Sequence, residues 1–270
     1  MSDLAPEAVR PLLSGSFGDP YLYAMEIAST QDVLAGSDHP HGAVAVAEHQ
    51  TAGRGRSGRR WDDAQSTALL FSALLRAPAG AALPQLSLIA GLAVAAAVEG
   101  QCLVPAMVKW PNDVLIEGRK VAGILLEASG SVVVCGIGIN VNQEATDLPL
   151  ETRLPATSLR IATHRALDRG ALLGSVLAEL EQHYDAWLAS GLAMVLDELE
   201  QRNILRGLRV RVGDRAGTAG AVAPDGRLTI VLDRGDVVLV ESGEVEVTGF
   251  SLSPGFMRPS DETRETRETG

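Results

Sequence analysis

The chain has 270 residues, only 4% of them aromatic, and carries 34 acidic against 23 basic side chains. This length allows one large domain, or one domain with a small appendage, and the net charge of −11 argues against a general binder of nucleic acid or of anionic membranes. No apolar run reaches the roughly 18 residues that span a bilayer, and the acidic N-terminus does not resemble a secretory signal. Cys102 and Cys135 provide no disulfide framework, so we expect core cysteines and a cytoplasmic location.

The first hundred residues predict a lead-in followed by alternating strands and helices. Residues 1–20 contain three prolines and predict an irregular or partly helical segment. The stretch "YLYAMEI" predicts a strand, and Ser29 is a candidate N-cap for a helix in "STQDVLAG". The apolar runs "GAVAVAEHQ" and "TALLFSALLR" predict buried strands, and "LPQLSLIAGLAVAAAVEG" predicts a buried helix because it is apolar on all sides.

The remaining chain predicts further strands, two helical stretches and then a change from helical spacing to short strands with turns. Three strand-like pieces follow, "AMVKWPNDVLIEG", "KVAGILLEASG" and "SVVVCGIGINVN", and the turn-like "EGRK" predicts a hairpin between the first two. Apolar residues then recur at helical spacing as far as about Ile204. From Gly207 onwards, short strands alternate with turn signals such as "PDG", which predicts a small β-barrel-like domain. The polar, repetitive end of the chain, 251–270, predicts disorder.

The segment "GRGRSGRRW", residues 53–61, concentrates four arginines among glycines in an otherwise acidic chain. Glycines let a backbone approach a ligand closely, so the segment predicts a loop that closes over an anion. It matches the G-x-G-x-x-G dinucleotide pattern, but no amphipathic helix follows, and it lacks the Gly-Lys-Ser/Thr of a Walker A loop. An RNA-binding segment would show several copies with interleaved aromatics. A solvated surface loop with chance basic residues remains the simplest alternative.

Three neighbouring segments lower the weight of that alternative. The stretch "KWPNDVLIEGRKVAGILLE", residues 109–127, carries Lys109, Asp113 and Lys120. The stretch "GIGIN", residues 136–140, offers glycines against which a flat ligand can lie, and Ser29 and Thr30 offer hydroxyls at a helix start. Hydroxyl, guanidinium, ammonium, carboxylate and glycine together predict one site for a nucleotide and a small molecule.

In this order, "EHQTAGRGRSGRRW", "KWPNDVLIEGRKVAGILLE" and "GIGINVN" resemble the biotin–protein ligases, and the resemblance covers roughly residues 25–250. It implies an α+β fold: a catalytic domain like that of class II aminoacyl-tRNA synthetases over 21–205, with a mixed sheet flanked by helices, and an SH3-like β-barrel over 206–250. Some members also carry an N-terminal DNA-binding domain. Only 20 residues precede Tyr21, so we expect the monofunctional type and no DNA binding.

The resemblance implies that biotin and ATP react to give biotinyl-5′-AMP, and that biotin then passes to a lysine of a biotin carboxyl carrier protein. It implies catalytic roles for Lys120 and Arg56 and an Mg²⁺ ligand in Asp113. The implied biotin-binding residues are Ser29, Thr30, Gln50, Gly53, Arg54, Arg56, Lys120, Gly123, Leu125, Ile137 and Gly138. The implied nucleotide-binding residues are Arg56, Arg59, Trp61, Asn112, Lys120 and Asn140.

Other readings and one departure stay open at this point. The family usually has Ser-Thr-Asn where this chain has Ser29-Thr30-Gln31, which puts any role of that amide in doubt. A lipoate–protein ligase is a rival close in fold, and a DNA-binding biotin sensor is a rival of another class. A homodimer is possible, and no membrane partner is expected. His39 and His41 fit no compact zinc signature and predict a surface loop instead.

Overall fold

The computed structural model describes residues 2–36, 38–61, 66–78, 83–149 and 154–248. The predicted disordered tail, 251–270, lies outside the described residues. The described chain forms a mixed seven-stranded sheet, a second five-stranded sheet and six α-helices. The helices are α1 (Pro6–Val9), α2 (Thr30–Leu34), α3 (Leu83–Cys102), α4 (Leu159–Thr163), α5 (Arg169–Ser190) and α6 (Leu196–Arg202).

The main sheet confirms the predicted mixed α+β architecture. Its strands are β1 (Tyr21–Ile27), β2 (Val44–Gln50), β3 (Ala68–Arg76), β4 (Met107–Lys109), β5 (Asp113–Ile116), β6 (Arg119–Ser129) and β7 (Val132–Asn140). They lie in the order β1-β2-β3-β7-β6-β5-β4. Only β1 and β2 pair in parallel; the other neighbours are antiparallel, including the predicted hairpin of β5 and β6. One strand-like piece, "AMVKWPNDVLIEG", is instead two strands, because Pro111 cannot donate to a ladder and the chain turns there.

Both faces of the main sheet are covered, which explains why β2 and β3 are buried at nearly every position rather than at alternate ones. On one face, α3 and α5 pack against each other and against the sheet. On the other face, Leu34 of α2 packs against Ala45, Leu74 and Val134. Ser29 caps α2 as predicted, since its side chain accepts a hydrogen bond from the Gln31 backbone N–H.

The apolar helix α3 is long and apolar enough to cross a membrane, with a mean hydropathy of 1.5 over an 18-residue window. No uninterrupted apolar run of that length occurs in α3, because Gln85, Ser87 and Gly91 interrupt it, but its average hydropathy still reaches that of a membrane span. The helix is nevertheless a core helix, since 67% of that window is buried inside the fold. Cys102 at its end and Cys135 of β7 are free and buried, as predicted, and burial raises the pKa of Cys135 to about 12.

The second sheet begins after Gly207, where the sequence predicts a change to short strands with turns. Its strands are β8 (Arg209–Val212), β9 (Arg215–Val222), β10 (Leu228–Leu232), β11 (Val237–Val240) and β12 (Glu246–Val247). They form an antiparallel sheet in the order β11-β10-β9-β8-β12. Contacts tie this sheet to the main part of the chain: the Trp110 indole donates to the Gly226 carbonyl at 3.0 Å, and Gln85 donates to the Pro224 carbonyl at 3.0 Å.

The lead-in segment is anchored in the fold. Leu4, Val9 and Phe17 are buried in the main core. Asp3 accepts hydrogen bonds from the Arg169 side chain and from the Arg169 backbone N–H at 2.9 Å. His41, predicted on a surface loop, is not fully exposed either, because it stacks on Tyr184 with 4.8 Å between ring centroids and meets Phe17 edge-on.

An ionic cluster joins the helices behind the sheet. Arg202 of α6 pairs with Glu99 of α3 at 2.7 Å and with Glu198 at 3.1 Å, and Glu198 in turn lies 3.1 Å from His183 Nε2 in α5. His183 Nδ1 lies 2.8 Å from the Glu179 carbonyl oxygen. Both ring nitrogens therefore face acceptors, which only the protonated imidazole can satisfy fully. Burial alone would lower the pKa of His183, but the bonds and charges of Glu198 and Glu179 outweigh it and raise that pKa.

This cluster predicts a pH dependence of stability. Because the folded pKa of His183 lies above its ordinary 6.5, its contribution is fully present below pH 6.5 and is lost as the pH rises through the raised value. We expect the free energy of unfolding to fall over that window, and His183→Gln to flatten the fall. Urea denaturation at a series of pH values measures both. A wild-type curve that stays flat or rises across the window would contradict the assignment.

Candidate active site

A cavity of about 790 Å³ lies between α2, the arginine loop (residues 53–61) and the middle of the main sheet. Of the residues that the sequence predicts for the site, all except Gly53 line this cavity. Its walls also include residues 154–156, which run beside the start of β6, and residues 243–247 from the second sheet. Segments far apart in sequence therefore meet around one space, of the size of a small-molecule site.

One end of the cavity has a polar floor built by α2 and the two strands beneath it. Thr30 donates its backbone N–H to Gln50 Oε1 at 2.7 Å, and its hydroxyl lies 2.8 Å from the Ser72 hydroxyl of β3. Ser29, Thr30 and Gln50 are all buried. Because α2 begins at this point, its first-turn side chains are held rigidly by the cap and by packing on β2, β3 and β7.

A pair of glycines forms the flat middle of the cavity. Gly123 of β6 and Gly138 of β7 are direct cross-strand partners. The Trp61 indole covers both: a Cβ added at Gly138 would lie 2.6 Å from its ring, and one added at Gly123 would lie 2.9 Å from it. Side chains at these two positions would leave no room for the indole, so the glycines create a shelf on which a flat group lies against the backbone.

Cations gather around one carboxylate at the other end. Lys120 of β6 places its Nζ 2.6 Å from Asp113 Oδ1, and the same Nζ lies 5.5 Å from the Trp61 ring centroid. Arg56 donates from Nη1 to Asn112 Oδ1 at 3.0 Å, which ties the arginine loop to the segment before β5. Burial lowers the pKa of Arg56, an effect that Asp113 opposes.

Lys109 adds a further cation to this end of the cavity. It is only 6% exposed and lies opposite Asp113 in the pairing of β4 with β5. Burial lowers the pKa of Lys109; Asp113 opposes this, whereas Lys120, Arg56 and Arg59 add to it. Several positive groups thus converge around Asp113, so this end can attract an anion with more than one charge.

Acidic side chains partner two of the loop arginines. Arg54 forms a two-point pair with Glu127, at 2.9 Å for each bond, and also binds Asp32 at 2.8 Å. The bonds to Glu127 raise the pKa of Arg54. Arg59 pairs with Glu244 of the second sheet's segment. The loop is therefore pinned to both halves of the molecule in this conformation.

One predicted residue, Gly53, is placed differently from the expectation. Gly53 does not line the cavity; its carbonyl accepts the Trp61 backbone N–H at 3.0 Å, so it shapes the loop. Ile137 lines the cavity as expected, although strand alternation between Gly136 and Gly138 places its side chain on the opposite face, where it is buried in the main core. Leu125, which pairs directly with Gly136, faces the cavity as expected.

The amides of Asn112 and Asn140 are already occupied. Asn112 donates from Nδ2 to the Ile124 carbonyl at 2.9 Å besides accepting from Arg56. Asn140 donates to the Thr157 carbonyl at 3.0 Å and accepts from Gln143 at 3.2 Å. Sequence reasoning missed Gly136 and residues 243–247 as parts of the cavity. The first stands in the quoted "GIGIN"; no local signal marks the second, because only the fold brings the second sheet to this place.

The sequence matches a known family over the segment that builds this cavity. Residues 24–144 match the biotin/lipoate A/B protein ligase family. The chain is 39% identical over 215 residues to the biotin–[acetyl-CoA-carboxylase] ligase of Mycobacterium tuberculosis, covering 73% of this chain and 79% of that protein. It is 33% identical over 243 residues to the bifunctional ligase/repressor BirA of Bacillus spizizenii, covering 85% of this chain and 74% of that protein.

Solved structures show the same relationship in three dimensions. The biotin protein ligase from Aquifex aeolicus in complex with biotin and ATP superposes with a TM-score of 0.76 at 33% identity, covering 83% of this chain and 97% of that one. The same ligase in its apo form gives a TM-score of 0.73 at 29% identity. Sequence, fold and cavity agree, and this chain belongs to the biotin protein ligase family.

Proposed function

We propose that the chain is an ATP-dependent ligase that activates biotin as biotinyl-5′-AMP and transfers it to a lysine of a biotin carboxyl carrier domain. The observation that carries this proposal is one cavity in a chain whose relatives are biotin protein ligases. One end of this cavity, the glycine-floored end, combines the polar floor with the shelf of Gly123 and Gly138, and the other end is rich in cations. The glycine-floored end suits a flat neutral ring, and the cation-rich end suits a phosphate chain. The boundary between them, at Lys120 and Trp61, is where a carboxylate would meet the α-phosphate.

In the first half-reaction, a biotin carboxylate oxygen forms a bond to the α-phosphorus while the bond from that phosphorus to the bridging oxygen breaks. Pyrophosphate leaves with the electron pair. Two anions must approach and negative charge builds at the α-phosphate, so fixed cations lower the barrier. Lys120 lies at the junction of the two ends, and Arg56 reaches the same region through Asn112. Lys109, held in place by burial, adds charge that needs no reorganisation.

In the second half-reaction, the amine nitrogen of the carrier lysine attacks the acyl carbon of the adenylate. The bond from that carbon to the phosphate oxygen breaks, AMP leaves with the electron pair, and the amine loses a proton. The cavity must keep the reactive adenylate from water and from other amines until the carrier arrives. The arginine loop suits this role because the side chains of Arg54, Arg56 and Arg59 fasten it to the rest of the fold at three contacts.

For the ring of biotin, we propose the polar floor of Ser29, Thr30 and Gln50 together with the shelf of Gly123 and Gly138. The Trp61 indole rests on this shelf, so a ligand that lies against the two glycines must displace it or stack upon it. For the nucleotide, Arg56, Arg59 and Lys120 are the phosphate partners. Reading of the adenine by Asn112 or Asn140 would require them to exchange the hydrogen bonds that they make here.

We propose Asp113 as the carboxylate that holds Mg²⁺. Mg²⁺ is usually bound through one or two carboxylates together with substrate phosphates, and Asp113 stands among the phosphate-binding cations. Within the described ranges no three of His, Cys, Asp and Glu gather as a ready ligand set, so this single carboxylate would need phosphate oxygens beside it. Bound there, the ion would neutralise charge on the phosphates.

The remaining parts of the proposal concern partners and location. The carrier is the carboxyl carrier domain of a biotin-dependent carboxylase, in line with the name of the Mycobacterium relative. The free, buried cysteines favour a reducing cytoplasm. We propose that the second sheet is an SH3-like module that helps to close the cavity through residues 243–247. Light scattering tests whether the chain forms a homodimer. A gel shift in the presence of biotin tests the expected lack of DNA binding.

The rival reading as a lipoate–protein ligase gives the sharpest test of the proposal. Pyrophosphate release is measured with ATP and either biotin or lipoic acid as the only acid. We expect release with biotin and little with lipoic acid. Release with lipoic acid alone would replace the proposed function by its rival.

Arg56→Gly is expected to form the adenylate but to release it early, because the substitution removes the bond to Asn112 that holds the loop over the cavity. A free acyl-adenylate reacts with any amine, so the variant should biotinylate bystander proteins. A streptavidin blot of a mixed protein sample measures this. Arg60→Gly is the matched control, since Arg60 donates instead to the Thr51 carbonyl at 2.7 Å. Labelling of the carrier alone by Arg56→Gly would show that the loop does not retain the adenylate.

A further inference from the structure

Gln31 carries a buried amide of which only one end has a partner. It stands in the first turn of α2, lines the cavity, and is 4% exposed. Its Nε2 donates to the Leu125 carbonyl of β6 at 3.1 Å. Its Oε1 is buried and has no hydrogen-bond partner in the structure. A buried acceptor left in this state is unfavourable, so its presence at a ligand cavity calls for an explanation.

The orientation of this amide follows from its one partner. A backbone carbonyl oxygen can only accept, so the NH₂ group of Gln31 must face Leu125. The other end of the amide is then an oxygen, which can only accept. Whatever completes the site must therefore bring an N–H or O–H donor to Gln31 Oε1.

Gly136 makes room for the Gln31 side chain, which is one methylene longer than the Asn usual at this position. A Cβ added at Gly136 would lie 2.3 Å from Gln31 Nε2 and 3.1 Å from its Cδ. Gly136 is also the direct partner of Leu125 across the β6–β7 ladder, so the amide rests on one strand while it donates to the next. These two contacts hold the amide in one orientation. The unpartnered oxygen therefore has a fixed place in the cavity wall.

We propose that Gln31 is a specificity-determining residue that accepts a hydrogen bond from a ring N–H of the cyclic urea of the bound acid. This inference rests on the proposed function, in which that acid is biotin. The urea ring of biotin has two N–H donors, whereas the dithiolane ring of lipoic acid has none. An acid without the donor leaves the buried Gln31 oxygen unpaired, and a site built for a hydrogen bond strongly rejects a ligand that lacks it.

The test measures the affinities of three acids by isothermal titration calorimetry: biotin, desthiobiotin, which keeps the cyclic urea, and lipoic acid. Gln31→Met keeps the length of the side chain but removes the acceptor. We expect about a 10- to 100-fold loss of affinity for both urea-bearing acids and little change for lipoic acid. The ratio of affinities within one protein does not depend on the fraction that is folded.

Two further variants make the test robust. Gln31→Ala removes the acceptor without any risk of crowding Gly136. Like Gln31→Met, it should lower the ratio of the affinity for biotin to the affinity for lipoic acid. Gln101→Met is the matched control, because Gln101 is exposed and donates to Ser175 away from the cavity; it should leave the ratio unchanged. If wild type prefers biotin and neither Gln31 variant narrows the ratio, the inference is overturned. A wild type that shows no preference for biotin would instead overturn the proposed function.

Discussion

Lys120→Ala is expected to slow the formation of biotinyl-5′-AMP by about 100- to 1,000-fold, the effect of removing one preorganised donor at a reacting centre. Lys120 is the cation at the junction of the glycine-floored and cation-rich ends of the cavity, 2.6 Å from Asp113. The substitution also leaves Asp113 without its closest cation, which would repel the phosphates further. Quenched-flow measurement of adenylate formation at saturating biotin and ATP isolates this step from transfer to the carrier.

The control for Lys120→Ala removes a cation outside the cavity. Arg160 is half-buried, lies outside the cavity and pairs with Glu144 at 2.6 Å, so Arg160→Ala changes the net charge equally and should keep the wild-type rate. Circular dichroism before the kinetic run shows whether each variant is folded. A folded Lys120→Ala enzyme with a wild-type rate of adenylate formation would remove Lys120 from the reacting centre.

Arg169→Met is expected to lower the free energy of unfolding by about 3–5 kcal/mol, because it leaves a buried carboxylate without its cation. Arg169 Nη1 donates to Glu48 Oε2 at 2.8 Å, and Glu48 is only 2% exposed. Burial alone would raise the pKa of Glu48, but the hydrogen bonds from Arg169 and Ser2 hold it below its usual value. The substitution also frees Asp3, which binds Arg169 at 2.5 Å and anchors the lead-in segment. Urea denaturation measures the loss.

The double variant Arg169→Met/Glu48→Gln separates this cause from simple loss of packing. Neutralising Glu48 removes the uncompensated charge, so the double variant should be more stable than Arg169→Met alone. If the double variant loses at least the sum of the two single losses, the buried charge is not what destabilises Arg169→Met.

The elements of the main sheet could be predicted because their signals are local. The strand of residues 21–27, the cap at Ser29 and the hairpin of β5 and β6 each follow from a short stretch of sequence. The membership of the cavity was predictable for a similar reason: the arginine loop and the segments around Lys120 and Gly138 are recognisable motifs, and the fold brings them together.

What the sequence could not predict depends on contacts between distant residues. The pairs of Arg54 with Glu127 and of Arg59 with Glu244 join residues far apart in the chain, so neither acid can be chosen from the sequence alone. The position of Trp61 on the shelf of Gly123 and Gly138 has the same origin.

The most direct test of the central claim follows the label from ATP through both half-reactions. The purified chain is incubated with Mg²⁺, biotin and ATP labelled at the α-phosphate, and a biotin carboxyl carrier domain is then added. The proposed function predicts a labelled biotinyl-adenylate in the first stage, and in the second its conversion to labelled AMP with one biotin on the carrier lysine. Absence of a biotin-dependent labelled adenylate from a folded chain, or an adenylate that the carrier does not consume, would contradict it.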